Sequence, residues 1–244
     1  MTVDPRAVTG FGGGADAYER GRPGYPADAI AWLAEKLGLG PGRTVLDLGA
    51  GTGKLSRLLV ETGARVVAVE PVEEMRRLLE TVAGVEALAG AAEAIPLPDA
   101  SADACTVAQA FHWFEPVVAL AEIHRVLRPE SALGLLWNRL DETDPLTAAF
   151  AGVLARYRAH PPVGYAWPEG YDRTTLFDPH ELRTFGNVQE LDTETIPDRL
   201  ASESSIAVLP EEQRRRALRE VRALAPRTVV LRYVTEVSVS NRRA

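Results

Sequence analysis

The chain has 244 residues, 46% of them hydrophobic, enough to bury one substantial core. A net charge of −7 leaves no basic field for nucleic acid or an anionic membrane surface, and the single cysteine, Cys105, excludes an internal disulfide and a cysteine-built metal site. No apolar run approaches the roughly 20 residues that a spanning helix needs, and the first residues lack the basic start and apolar core of a signal peptide. Composition therefore predicts a cytoplasmic protein with no membrane, nucleic-acid or metal partner, and leaves the oligomeric state open.

Residues 10–26, GFGGGADAYERGRPGYP, are rich in glycine and proline and read as a flexible arm. Residues 1–26 thus stand apart from a single domain over 27–244. From Asp28, the apolar positions Ile30, Leu33, Ala34 and Leu37 recur at helical spacing, and Gly38 closes the helix. Thr44–Leu48 is a short apolar strand, followed by Gly49, Gly51 and Gly53 and by a helix marked by Leu55, Leu58 and Leu59. Arg65–Val69 is a second strand ending in Glu70, and Met75, Leu78, Leu79 and Val82 mark the next helix. Val85–Ala89 and Ala104–Ala108 are the third and fourth strands. Leu120, Ile123 and Leu127 share a helical face before Pro129, and Leu133–Trp137 is a fifth strand. Strand and helix in alternation force parallel pairing through right-handed crossovers, so the expected fold is α/β, a three-layer doubly wound Rossmann-like sheet.

Past Asn138 the rhythm breaks. Helical patterns at Pro145–Tyr157 and Pro210–Ala225 surround a polar, proline-punctuated middle, which places helical lid elements in about 143–225. A long alternating strand follows, with Val229, Leu231, Tyr233, Val237 and Val239 on one face. The run Arg214–Arg216 reads as a solvated helix face paired with Glu211 and Glu212.

Three ligands compete for the glycine turn. A phosphate loop needs Gly-Lys-Ser/Thr, and here Gly53-Lys54 is followed by Leu55, so that reading fails. A dinucleotide loop needs a glycine where Lys54 stands, which weakens the nicotinamide reading. S-adenosylmethionine has no phosphates, and it needs close backbone approach, an acid for its ammonium and an acceptor pair for its ribose. Asp47 suits the first acid and Glu70 the second. Glu70 alone would also serve NAD, but loop, Asp47 and Glu70 together favour the sulfonium cofactor.

The segments VLDLGAGTGKLS, VVAVEPVEEM, GAAEAIPLPDASADACTVAQAFHWF and EIHRVLRP, preceded by YERGRPGYP, carry a resemblance over residues 18–138. The chain resembles class I S-adenosylmethionine-dependent methyltransferases of the type 11 group, most of all their trans-aconitate methyltransferase-like branch. The later lid-like segment and terminal strand are similar to that family's as well, which implies an antiparallel last strand. One departure is visible: Glu130-Ser131 stand where the family usually turns on glycines. The resemblance implies an adenine pocket from Pro71, Met75, Ala92 and Glu93. With Asp47, Gly49, Ala50, Gly51, Glu70 and Gln109 these make the expected cofactor set. It implies the product S-adenosylhomocysteine and a small-molecule acceptor, through a carboxylate or hydroxyl.

Methyl transfer from a sulfonium is an in-line displacement that needs alignment and exclusion of water more than covalent help. A hydroxyl acceptor wants a base, and His112, after the fourth strand, is the one histidine placed for it; its alternative is to fix the loop with Trp113. His124 reads as a packing residue, and His160 and His180, beside prolines, as exposed loop residues. In the arm, Tyr18 and Arg22 are expected to close over the cofactor, Arg22 matching a carboxylate with its two-pronged fork. Tyr25, Trp113, Tyr165 and Trp167 are the candidates for the acceptor pocket, with Trp137 in the core. The rivals are a nicotinamide-dependent oxidoreductase and a non-catalytic S-adenosylmethionine-binding fold-mate.

Overall fold

A computed structural model of the chain describes residues 15–157, 171, 174–207, 209–224 and 227–244. Chain order runs α1 (Ala15–Gly21), α2 (Ala27–Leu37), β1 (Thr44–Leu48), α3 (Lys54–Val60), β2 (Arg65–Val69), α4 (Glu73–Leu79) and β3 (Val85–Leu88). It continues with β4 (Ala102–Ala108), a 3-10 turn (Phe111–Trp113), α5 (Pro116–Val126), β5 (Leu127–Leu140) and α6 (Pro145–Tyr157). The last elements are β6 (Glu181–Asp192), α7 (Ile196–Ala201), α8 (Ser204–Ala207), α9 (Glu211–Leu224) and β7 (Thr228–Asn241).

The seven strands form one sheet in the order β3-β2-β1-β4-β5-β7-β6. β1 to β5 pair in parallel, and β7 runs antiparallel to both of its neighbours. The order reverses at β1, whose crossovers lead to β2 on one side and, later in the chain, β4 lies on the other. The carboxyl ends of β1 and β4 therefore open a crevice, the place where sheets of this kind hold ligands.

Two apolar clusters cover the two faces of the parallel half. Leu46, Leu48 and Val107 pack with Leu120 and Ile123 of α5 on one face, and Val45 and Val66 pack with Leu33 of α2 and Leu59 of α3 on the other. A third cluster lies under the lid helices, where Phe150, Leu154, Leu200, Ala217 and Val221 pack on Val229, Leu231 and Tyr233 of β7. Gly38 ends α2 in the left-handed conformation, φ 60°, as its position after the last apolar residue predicts.

Four expectations are corrected. The arm is not a flexible tail over its described part: residues 15–21 form α1, which packs on α7. The polar middle contains β6, a 12-residue strand. β5 starts at Leu127 rather than Leu133: Leu127 pairs with Ala102 before the register shifts, and Glu130 takes up the left-handed conformation at φ 62° between the two pairings, at a strain of about 1–2 kcal/mol. His180 is half-buried, its ring stacked on Tyr171 with centroids 5.7 Å apart. His160, Tyr165 and Trp167 lie outside the described residues. The basic run lies on an exposed face of α9 as expected, and Arg215 pairs with Glu211, but Arg216 pairs with Glu220 rather than Glu212.

Candidate functional site

The crevice at the end of β1 is a cleft of about 1160 Å³, partly open to solvent. Its floor is the glycine turn, and the three glycines there do different things. A Cβ on Gly49 would lie 2.7 Å from the Ala110 Cβ, and one on Gly53 would lie 2.9 Å from Leu79 Cδ1, so both are needed for packing. At Gly51 the nearest neighbour would be Met75 Sδ at 3.7 Å, so here bare backbone at φ 58° forms the wall of the cleft.

Two carboxylates stand beside it. Glu70, just past the end of β2, accepts the Gly51 N–H (2.8 Å) on Oε2 and the Val72 N–H (2.9 Å) on Oε1. Asp47 in β1 accepts Ser56 Oγ at 2.6 Å and Thr106 Oγ1 at 3.0 Å. Both are buried, and neither meets a cation at ion-pair distance among the described residues. Burial pushes Glu70 up to about 7 and Asp47 up to about 6, the hydrogen bonds only partly opposing it. Such groups are costly to ionise without a partner, and a ligand bearing an ammonium and hydroxyls would supply one.

The opposite wall comes from the arm. Tyr18, Arg22, Pro23 and Tyr25 line the cleft. Arg22 donates through Nη2 to the Ser202 carbonyl (3.0 Å) and pairs through Nη1 with Glu203 (3.2 Å). Its Nε is buried with no hydrogen-bond partner. Burial raises the hydroxyl pKa of Tyr18 and, further, of Tyr25, so both keep their protons at neutral pH.

Pro71, Val72 and Met75 form one end of the cleft with Gly90, Ala91 and Ala92. Glu93 also lines it, but its Oε1 accepts the Glu115 N–H (2.8 Å) at the start of α5. Its carboxylate thus holds a helix end. Leu48, Ala50, Thr52, Lys54 and Gln109 complete the wall near the turn. Gln109 sits at φ 57° and donates through Nε2 to the Asn138 carbonyl (3.2 Å).

The structure does not bring His112 into the lining of the cleft. In the 3-10 turn after β4, successive side chains project about 120° apart. Phe111 enters the core and Trp113 lines the cleft with Ala110, and the His112 ring stands beside that of Trp113, centroids 4.7 Å apart. His124 packs edge-on against Phe177 and bonds the Arg243 carbonyl (2.9 Å).

Among the lining residues that the sequence did not single out for the site are Phe114, Asn138 and Tyr233. Asn138 was findable, being a polar residue at the carboxyl end of a parallel strand. Its Nδ2 donates to the Gly24 carbonyl (3.0 Å), and its Oδ1 accepts from Thr235 Oγ1 (2.5 Å), so it fixes the arm next to Tyr25. Tyr233 read as a core position of the last strand and is one, with its edge in the cleft. Among the described residues no cluster could hold a metal ion.

Comparison with known proteins agrees with this geometry. Residues 46–135 match the family model described as a methyltransferase domain. A protein of Mycobacterium tuberculosis H37Rv, described as an uncharacterized methyltransferase, is 42% identical over 229 residues, 92% of this chain and 89% of the relative. A solved structure of a candidate type II methyltransferase from Anaeromyxobacter dehalogenans superposes with a TM-score of 0.68 at 27% identity, covering 89% of this chain and 97% of that one. The fold alone is shared with Haemonchus contortus phosphoethanolamine N-methyltransferase 2, solved with phosphomonomethylethanolamine and S-adenosylhomocysteine, at a TM-score of 0.57 and 16% identity over 96% of this chain and 58% of that one. With a relative this similar along most of both lengths and a matching fold, the chain belongs to the class I S-adenosylmethionine-dependent methyltransferases.

Proposed function

We propose that the chain methylates a small molecule, with S-adenosylmethionine held in the cleft and an oxygen as the acceptor. One observation carries this reading. Two buried carboxylates with no ion pair among the described residues, Asp47 and Glu70, line the cleft together with Arg22, whose Nε has no hydrogen-bond partner, and the bare backbone at Gly51. That arrangement complements a ligand with an ammonium, a carboxylate and a pair of vicinal hydroxyls, and no phosphate. Asp47 would take the ammonium, directly or through water; Glu70 the ribose hydroxyls; Arg22 the carboxylate. The apolar end at Pro71, Met75 and Ala92 suits the adenine, a thioether being an adaptable contact for a ring.

When bound, the cofactor supplies a methyl group on a positively charged sulfur, open to attack by a nucleophile. The chain's own residues then orient the acceptor and keep water out, with Tyr18 and Tyr25 of the arm on one side and Trp113 on the other. Among the described residues the cleft presents no imidazole, and its tyrosine hydroxyls are held above their ordinary range. With Asp47 and Glu70 taken up by the cofactor in this reading, a base is poorly supplied, which favours an acceptor already anionic at neutral pH, a carboxylate, over a hydroxyl. The resemblance of the sequence to the trans-aconitate methyltransferase-like branch puts small polycarboxylates first among candidates.

The test is an assay of S-adenosylhomocysteine release from S-adenosylmethionine over a panel of small carboxylic acids, phenols and alcohols. Release with an acid, together with a base-labile methyl ester, is the expected result. Tight S-adenosylhomocysteine binding with no release on any acceptor would overturn catalysis and leave a non-catalytic binding protein.

A further inference from the structure

Behind the arm, six residues close a ring of polar contacts. The Gly21 carbonyl at the end of α1 accepts from Gln189 Nε2 of β6 (2.8 Å), and Gln189 Oε1 accepts from the Tyr233 hydroxyl of β7 (2.8 Å). That hydroxyl accepts from Arg199 Nε of α7 (3.0 Å), and Arg199 Nη1 donates to Glu203 Oε1 (2.8 Å). The same Glu203 oxygen meets Arg22 Nη1 at 3.2 Å, and Arg22 follows Gly21 in the chain, which completes the circuit. Arg199 is 2% exposed, Tyr233 3% and Glu203 8%, so this side of the ring is out of water, while Gln189 and Arg22 are half-buried.

Two features make this more than packing. First, two guanidiniums share one carboxylate oxygen, so among the described residues two positive charges meet one negative there, and Arg22 of that group lines the cleft. A guanidinium that shares its carboxylate has donor capacity left for an anion. Second, α1 meets α7 with no side chain between them: a Cβ on Gly21 would lie 2.3 Å from the Asp198 carbonyl oxygen. Glycine there lets the arm come close enough for Arg22 to reach Glu203. An unheld arginine side chain would have rotamer entropy to lose on binding. The ring takes the Nη1 and Nη2 contacts of Arg22 and leaves its Nε edge.

We propose that Arg199, Glu203 and the Tyr233 hydroxyl are positioning residues for the cofactor's amino-acid tail, acting through Arg22. This rests on the reading that Arg22 holds the ligand's carboxylate. None of the three has to touch the ligand with its polar atoms. Their work is to preset one guanidinium before the ligand arrives.

The test uses calorimetric titration of the full chain with two probes. S-adenosylhomocysteine carries the amino-acid tail, and 5′-methylthioadenosine has the same nucleoside and sulfur without it. Tyr233→Phe keeps the ring in the cleft wall and removes only the hydroxyl; Arg199→Lys keeps the charge and loses the fork. Each should weaken S-adenosylhomocysteine about tenfold and move 5′-methylthioadenosine by less than about twofold. In an Arg22→Ala background, either substitution should add nothing further, because coupled residues are not additive. Equal losses for both probes would mean a merely structural role and overturn the proposal. So would unchanged S-adenosylhomocysteine affinity, or full additivity with Arg22→Ala. If Arg22→Ala itself left S-adenosylhomocysteine untouched, the carboxylate reading of Arg22 would fall first, and the positioning role with it. Tyr233→Phe keeps the test open should Arg199→Lys fail to fold.

Discussion

Asp47 and Glu70 tie ligand binding to pH at the scale of single residues. Both carboxylates have pKa values raised by burial in the ligand-free chain, to about 6 and about 7. A raised acid binds its proton more tightly in the folded than in the unfolded state, so its contribution is present at low pH and is lost as pH rises through the folded pKa. Ligand-free protein therefore gives up stability from these two groups between about pH 4, near their unfolded values, and about pH 7, while an ammonium and hydroxyls that need the ionised forms gain affinity over the same window. The rise in melting temperature on adding S-adenosylhomocysteine should grow from about pH 5 to 7, and the growth above about pH 6 should flatten in Glu70→Gln. Taking the difference between ligand-bound and ligand-free melts removes the carboxylates that shift the other way, such as Asp103 and Glu122. A ligand-induced shift that shrinks with pH would contradict the assignment. The glycines give a second contrast. Gly51→Ala should fold with a modest loss from its positive φ and bind S-adenosylhomocysteine poorly. Gly49→Ala should lose stability instead, its Cβ driven into Ala110. Thermal melts with and without ligand separate the two outcomes. Asp47, Gly51 and Glu70 were legible because strand-ending acids and a glycine turn are local in sequence. Arg199 and Glu203 were not, since neither sits in a motif, and packing alone brings them to Arg22.

At the scale of elements, α1 works as a strap fastened on both sides of the cleft. Glu19 accepts from Thr52 Oγ1 (2.5 Å) and Arg57 Nη1 (2.8 Å), and its carbonyl from Lys54 Nζ (2.5 Å), which ties it to the glycine turn and α3. Arg20 pairs with Asp198 of α7 at 2.6 Å on the other side. Tyr18, between these ties, faces the cleft. Deleting the first 26 residues should weaken S-adenosylhomocysteine binding at least about tenfold, or some 1.4 kcal/mol. The main melting transition should survive, because α1 adds nothing to the three core clusters. Full affinity in the truncated chain would make the strap irrelevant to the site. Arg20→Ala alone should change little, since Arg20 is 58% exposed and such pairs contribute at most about 1 kcal/mol. The sequence around the arm suggested looseness through its glycines, and helix formation there depends on tertiary ties that composition does not display. β6 escaped for a related reason. As an edge strand it buries only Phe185 and Leu191, and Arg183, Thr184, Gln189 and Glu190 blur its alternation.

Over the whole molecule, the order β3-β2-β1-β4-β5-β7-β6 puts the glycine turn, both carboxylates and Asn138 at the carboxyl edge of the parallel strands, and the lid helices α7 to α9 brace the arm that covers them. The parallel half was readable from its apolar runs, which must alternate with helices to bury both faces. No helix among the described residues is long and apolar enough to cross a membrane. The central claim is that this cleft binds a sulfonium nucleoside by its zwitterionic tail and its ribose. Isothermal titration of the ligand-free chain with S-adenosylhomocysteine at pH 7.5, with NADH as control, tests it most directly. Saturable one-to-one binding of S-adenosylhomocysteine, lowered by at least about tenfold in Glu70→Gln, and no saturable heat with NADH, is the result the account predicts. No heat from S-adenosylhomocysteine at millimolar concentration, or saturable binding of NADH in its place, would contradict it.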